Sequence, residues 1–377
     1  AYLKRLANGR RIHLISFEKA DDWANVAERV RLARDIASAG IAWHPLRYHK
    51  APSVLATAFD IMQGIIVGVW LCVRYKIKII HARSYIPSVI ALTLKKLFNV
   101  KYIFDMRGFW ADERIDGGLW PKGGRIYRVA KWFEKRFLLS ADSVVSLTNA
   151  AVDEMKKFDY LQGRLPNFEV ITTCTDLNLF DFKKTNINNS SKESFVLGYV
   201  GSVGVWYLFD ETLNCFKLIL EKVPSAQLHI INRGGHQYIR ERLIDKRINP
   251  NKVMIETSDH AGVAKAMQSM DVGIFFIKPV YSKMSSAPTK LGEFLGCGIP
   301  CLSNTKVGDM AVILNDEKVG VALDSFDETS MKLGIEELMT LLNDPEIRER
   351  CRSTALKYFS LDIGVRSYNH IYNRLIS

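Results

Sequence analysis

Along almost the whole chain, short apolar runs alternate with longer stretches in which apolar residues recur every three or four positions. That rhythm is how parallel strands joined by crossover helices read. Strands are predicted in the first half at residues 11–17, 41–46, 78–82, 101–105, 143–147 and 169–172. The pattern stops at 183–194, K-K-T-N-I-N-N-S-S-K-E-S, whose polar composition marks a linker. It then restarts with strands at 195–200, 227–231, 252–255, 272–276 and 300–303. No internal repeat is visible, so the pattern predicts two doubly wound α/β domains, 1–182 and 195–361, with a last helix, 362–377, returning to the first.

Two helical segments stand apart. Residues 54–73 are apolar enough to suggest a membrane span, but Thr57, Asp60, Gln63, Gly64 and Gly68 interrupt them and a strand follows within a few residues. A buried helix is expected there. Residues 122–137 form a basic amphipathic helix, expected to turn Ile126, Val129, Ala130, Phe133 and Phe137 inward and Arg125, Arg128, Lys131, Trp132, Lys135 and Arg136 outward. Such a face suits an anionic lipid surface, and a solvated face without a partner is the plain alternative.

Composition narrows the class. The chain has 377 residues, beyond the usual single core, with 48% apolar and 24% charged residues. Its net charge of +12 lies almost wholly in residues 1–180, with 28 Lys and Arg against 17 Asp and Glu, compared with 24 against 23 in the remainder. The first domain therefore faces an anionic partner. Nucleic acid is disfavoured, because the basic residues lack regular aromatic interleaving and no binding signature appears. Six scattered cysteines without a CxxC pair indicate neither a disulfide framework nor a zinc knuckle. A reducing, cytoplasmic setting is expected, peripheral to the inner face of the cell membrane.

The most informative stretch is 283–304, K-M-S-S-A-P-T-K-L-G-E-F-L-G-C-G-I-P-C-L-S-N. Ser285, Ser286 and Thr289 are N-cap types, Pro288 suits a first helical turn, and Lys290 and Glu293 share a helix face. A helix mouth collects phosphate oxygens, Lys290 adds a point charge, and a carboxylate one turn in accepts hydrogen bonds from a ribose diol. The plain alternative is an ordinary capped α/β helix.

The run P-T-K-L-G-E-F-L-G-C-G-I-P-C resembles the donor-site signature of retaining GT-B glycosyltransferases of family four. So, in the same order, do A-D-S-V-V-S-L-T at 141–148, T-T-C-T-D with Phe180 at 172–180, and V-G-S-V-G at 200–204. The resemblance spans nearly the whole chain and implies two Rossmann-like domains facing each other across a cleft. By it, Glu293 is the ribose ligand, and Ser285 stands where the family's sugar-orienting Glu is usual. The glycine-rich turn Gly201 to Gly204 lacks the usual Arg and Lys after it, so the diphosphate charge falls to Arg233, Lys283 and Lys290. Trp206 or Tyr207 then stacks on a base or sugar, or packs in the core. The resemblance also implies a strand and glycine-rich loop of about 20 residues ahead of Ala1.

On the acceptor side, D-M-R-G-F-W-A-D-E at 105–113 resembles the family loop that faces the reacting sugar. Asp105 there accepts a hydrogen bond from the attacking hydroxyl and Arg107 steadies leaving-group charge, unless the two form a structural ion pair. His81, Arg83 and Trp110 are candidate acceptor contacts. No metal or other cofactor is implied, since no His or Cys pair has ligand spacing. The implied activity is metal-independent hexosyl transfer from a UDP- or GDP-sugar to a glycan or lipid-linked acceptor, in surface polysaccharide or glycolipid synthesis. A sugar-nucleotide epimerase of the same fold and a non-catalytic sugar-nucleotide binder are the alternatives.

Overall fold

The computed structural model describes residues 5–7, 9–181 and 195–376. The linker expected at 183–194 lies outside the described residues. The first half contains β1 (Ile12–Glu18), α1 (Ala20–Ala24), α2 (Val26–Ser38), β2 (Ile41–Arg47), α3 (Ser53–Tyr75), β3 (Ile79–Arg83), α4 (Tyr85–Phe98) and β4 (Lys101–Asp105). It continues with α5 (Trp110–Asp116), α6 (Arg125–Ser140), β5 (Ser143–Ser146), α7 (Asn149–Met155) and β6 (Phe168–Val170). Its sheet comes in two parallel pieces, β1–β2 and β3–β4–β5–β6.

The second half contains β7 (Val196–Val200), α8 (Phe209–Lys222), β8 (Gln227–Ile231), α9 (His236–Asp245), β9 (Val253–Glu256), α10 (His260–Met267) and β10 (Val272–Ile274). A 3-10 turn at Tyr281–Ser285 leads into α11 (Thr289–Gly296), β11 (Cys301–Asn304), α12 (Met310–Asp316), β12 (Gly320–Leu323), α13 (Glu328–Leu342), α14 (Ile347–Tyr358) and α15 (Leu361–Ile376). Its parallel strands run in the order β9-β8-β7-β10-β11-β12, a doubly wound sheet whose order reverses between β7 and β10. Ligands of such sheets sit beyond the carboxyl ends of the strands at that reversal. One core cluster covers each face of the sheet, with Phe275, Phe294 and Leu295 on one side and Tyr199, Phe216 and Phe276 on the other.

The helix α15 leaves the second half and packs on the first. Tyr368, Ile371 and Tyr372 join Ile103 of β4, Val145 of β5 and the buried Leu6. Arg10 reaches Asn369 and Asn373 on α15, both at 2.6 Å, and Arg374 pairs with Glu169 at 2.7 Å.

Three expectations need correction. β12 was not foreseen, being four residues long and at a sheet edge. α3 is not a buried helix. Only its face toward β1, β2 and α4 is covered, with Leu71 and Cys72 buried there, while a row of large apolar side chains lies outside. α6 is turned from its expected orientation: Ile126 and Val129 are exposed, whereas Lys131 points inward. The cause is a buried polar cluster. Lys131 pairs with Asp112 at 3.0 Å and with Glu134 at 2.5 Å, Tyr127 donates to Asp112 at 2.9 Å, and Tyr85 donates to Glu134. A fully buried carboxylate must be paired, and that requirement outweighs a few half-exposed methyl groups.

Candidate functional site

The carboxyl ends of β7, β8 and β10 from one half, and of β3 and β4 from the other, converge on a cleft bridged by the turn 281–288. Asn232, just beyond β8, sets the donor side. Its Nδ2 donates to the carbonyl of Gly201 at 2.8 Å, and its Oδ1 accepts from the Gly234 amide at 3.0 Å. Asn232 was not foreseen, because a buried Asn in a turn carries no motif. Arg233, next in sequence, is exposed at the rim.

Lys290 occupies the first turn of α11 and is buried, at 7% exposure. Among the described residues its Nζ has no hydrogen-bond partner. The ammonium lies 3.9 Å from the Tyr207 ring centroid and 5.4 Å from that of Phe275. Directly over it runs Gly201, at φ 128°, where a Cβ would stand 2.7 Å from Nζ. That backbone conformation favours glycine, and a side chain there would also displace the ammonium. Burial pushes the Lys290 pKa down to about 7, and nearby Glu293 pulls it only partly back. An unpaired cation in an aromatic cage is costly to hold, and an arriving anion relieves that cost.

Glu293, one turn further, is raised by burial and restrained by His260, whose Nε2 lies 3.5 Å from its Oε1. His260 opens α10 and was not foreseen. Pro288 is the N-cap of α11, and no side chain caps that end. Ser286 and Thr289, expected as caps, do not close it, which leaves its terminal amides available to an anion.

The remaining polar residues of the turn hold the two halves together. Ser285 Oγ accepts from the Phe109 amide at 2.8 Å and donates to the Ser282 carbonyl at 2.7 Å. Lys283 pairs with Glu113 at 2.7 Å and lies 3.8 Å from the Trp206 ring centroid. Thr148 Oγ1 donates to the Met284 carbonyl at 2.8 Å, and Thr173 Oγ1 to that of Ala287 at 3.0 Å. Asp309 accepts from the amides of Asn149, at 2.7 Å, and Ala150, at 2.9 Å. The side chains of Lys283 and Ser285 are thus engaged across the interface, and both Trp206 and Tyr207 face lysines. Between Gly117 to Leu119 and the loop Ser202 to Tyr207 the cleft keeps a cavity of about 340 Å³.

On the first-half wall, Asp105 ends β4 and is buried at 2% exposure. Its Oδ2 accepts from Tyr368 at 2.9 Å and lies 3.4 Å from His81 Nε2, while His81 Nδ1 meets the Tyr372 hydroxyl at 2.7 Å. Its Oδ1 has no partner among the described residues. Burial pushes this carboxyl up, but His81, Arg107 and Tyr368 together hold it below the usual carboxylate range. Arg107 stands in the left-handed region at φ 60°, a strained setting for a side chain of its size. It shares the field of Asp105 and Arg83, and burial followed by Arg83 lowers its pKa. Arg83 is exposed nearby, whereas Trp110 packs edge-on to Trp120, with centroids 5.1 Å apart, and against Tyr85. The tyrosines of α15 escaped sequence reasoning because they lie more than 260 positions from Asp105.

Two orphaned buried polar atoms, Lys290 Nζ and Asp105 Oδ1, are therefore contributed by the donor and acceptor walls. A cation on one wall and a carboxylate on the other suit an anionic leaving group and an attacking hydroxyl.

Residues 7–164 match the family model described as a glycosyl transferase 4-like domain, and residues 181–358 match that of glycosyl transferases group 1. No curated protein matches the chain. Among solved structures, a glycosyltransferase from Rickettsia africae ESF-5 is similar at TM-score 0.70 and 13% identity, covering 97% of this chain and 99% of its own. Sucrose-phosphate synthase from Thermosynechococcus elongatus is similar at TM-score 0.68 and 15% identity, with the same coverage of 97% and 99%. Anabaena HepE in complex with UDP and glucose is similar at TM-score 0.65 and 13% identity, covering 98% of this chain and 94% of its own. With a family model on each half and the fold continuous through both, the chain belongs to the glycosyltransferases of GT-B fold.

Proposed function

We propose that this glycosyltransferase moves a sugar, with retention at the anomeric carbon, from a nucleoside diphosphate sugar to a glycan or lipid-linked acceptor in surface polysaccharide or glycolipid synthesis. The observation that carries the donor assignment is the unpartnered Lys290 ammonium beneath Gly201, at an uncapped helix mouth with Glu293 one turn away. HepE bound to UDP and glucose favours UDP over GDP as the first donor to try.

In this reading the Lys290 ammonium, the amides of Thr289 and Lys290 at the helix mouth that Ser286 and Pro288 lead into, and Arg233 at the rim receive the diphosphate, and Gly201 and Gly204 let the backbone approach it. Glu293 accepts from the ribose diol. The acceptor enters past His81 and Arg83, with Trp110 shaping the wall, and its hydroxyl donates to Asp105 Oδ1 while Arg107 faces the developing charge. As the acceptor oxygen bonds to the anomeric carbon, the bond to the β-phosphate oxygen breaks. Attack from the leaving-group side keeps the hydroxyl proton within reach of that departing oxygen. Charge neutralisation is assigned to side chains and a helix mouth, with no role given to a metal. Lys283 and Ser285 hold the cleft loop in register. The exposed face of α6, where Arg125, Arg128, Lys135 and Arg136 flank Trp132, supports a cytoplasmic enzyme at an anionic membrane surface.

The test is to incubate the chain with UDP- and GDP-sugars, with and without lipid-linked acceptor, following nucleoside diphosphate release and the anomeric configuration of the product. Release that requires acceptor and gives a retained anomer is expected. Conversion of the donor alone, or binding of every donor without release, would overturn the reading.

A further inference from the structure

The longest helix of the first half, α3, leaves a full row of large apolar side chains outside. Its inner face combines Leu71 and Cys72 with small residues: Ala56 is buried, and a Cβ on Gly64 or Gly68 would stand 2.4 Å from Ile90 or Leu94 of α4. Its outer face carries Leu55, Phe59, Met62, Ile66, Trp70 and Val73, each between 48% and 70% exposed. At 100° per residue these six fall within an arc of about 80° and run for about 27 Å. A continuous apolar stripe of that size on a water-facing helix calls for a cover.

The charges around it say what kind. From Arg47 to Lys101 the chain carries nine Lys and Arg and a single carboxylate, Asp60. Asp60 is buried and accepts from the His49 amide at 2.9 Å, so this stretch of chain exposes no acid. Arg47 and Lys50 stand exposed ahead of the helix, and Arg74, Lys76 and Lys78 stand exposed after it. Apolar along its length and cationic at both ends, the face complements a surface with an apolar interior and anionic headgroups. A second copy of the chain fits it poorly, since stripe-to-stripe contact brings cation clusters together. Trp70, half exposed and edge-on to Tyr75, has the amphipathic ring that settles at a headgroup boundary.

We propose that the outer face of α3 lies flat in the interface of an anionic lipid bilayer, with its inner face keeping its packing on the domain. Spanning is not the mode, because that inner face holds β1, β2 and α4 and carries the ionisable Asp60. α4 packs between α3 and α6, so the stripe adjoins the basic face of α6 through a helix that exposes Lys96 and Leu97. The proposal uses no residue of the nucleotide site.

The test is co-sedimentation of the whole chain with vesicles of phosphatidylcholine alone and of phosphatidylcholine mixed with phosphatidylglycerol, at low and high salt. Binding to the anionic vesicles that weakens with salt is expected. It falls by about tenfold or more in a Met62→Glu/Ile66→Glu variant. Both positions are exposed, and a milder Met62→Ser/Ile66→Ser variant guards against misfolding; unchanged melting temperature and UDP affinity without lipid separate this result from any failure of the nucleotide site. Tryptophan emission shifts to the blue on adding anionic vesicles, and Trp70→Phe removes much of the shift. Absence of sedimentation at low salt, equal binding by the variants, or a lipid-free dimer that the variants dissolve would each overturn the proposal.

Discussion

In the second half, β7 is hydrogen-bonded to β8 on one side and β10 on the other, and four of its five residues are buried. In the first half, β1 pairs with β2 alone among the described strands, and none of its seven residues is fully buried. Parallel strands reach full stability only when both edges are paired and both faces covered. The completed sheet holds Gly201, Asn232 and Lys290 in a fixed arrangement, with an uncompensated charge tolerated inside it. The less enclosed half keeps apolar and cationic surface at α3 and α6 that its own fold does not use. Preorganisation for a small anion and surface reserved for a large partner are thus divided between the two halves.

That contrast predicts unequal local stability. Amides of β7 and β8 should exchange with solvent at least about a hundredfold more slowly than those of β1 and β2 in hydrogen-exchange measurements. Equal protection would erase the distinction. Within the second half, Lys290→Met should weaken UDP binding by about 2 to 3 kcal/mol, roughly 30- to 160-fold, as a charged hydrogen-bond donor is lost. Its melting temperature should hold or rise, because an unpaired buried cation is removed. A lower melting temperature with unchanged UDP affinity would make Lys290 a structural residue.

The pH dependence follows with opposite signs for two observables. With its pKa near 7 in the free protein, Lys290 is already charged below pH 7. Above that it must take up a proton to meet a diphosphate, so UDP affinity falls by up to about tenfold per unit as pH rises past 7. The unfolded chain keeps this lysine protonated up to about pH 10.4, so between the two values the unfolded state binds more protons and folding stability rises with pH. Titration of binding by calorimetry and of melting by circular dichroism checks both slopes, and Lys290→Arg should flatten them.

The smallest effect belongs to the first half. Tyr368→Phe removes one donor from Asp105, and kcat/KM should drop by about 1 kcal/mol, roughly fivefold, with UDP affinity unchanged. A change in UDP affinity instead would show that α15 acts on the donor wall.

The strands of the nucleotide half were legible because buried parallel strands are short apolar runs, and β7 and β8 lie within a residue of the expected positions. Lys290 and Glu293 were legible as well, since helix periodicity alone puts them on one face at a helix start. Other features were not. The turn of α6 depends on Asp112 meeting Lys131 and Tyr85 meeting Glu134, and those two partners come from other elements. The close packing of α3 on α4 depends on Ile90 and Leu94 filling the space over its glycines. Hydropathy counts how apolar a helix is and is silent on which side has a neighbour.

Local order in the chain was enough to determine two doubly wound units, the helix mouth at Thr289 and the basic character of the first half, because periodicity, capping chemistry and charge are properties of neighbouring residues. Tertiary structure alone decided that Ser285 holds the Phe109 amide, that Asp105 is restrained from α15, and that Lys290 waits unpaired beneath Gly201. Each of these depends on which groups are left together once water is excluded, and that is set by packing between residues far apart in sequence.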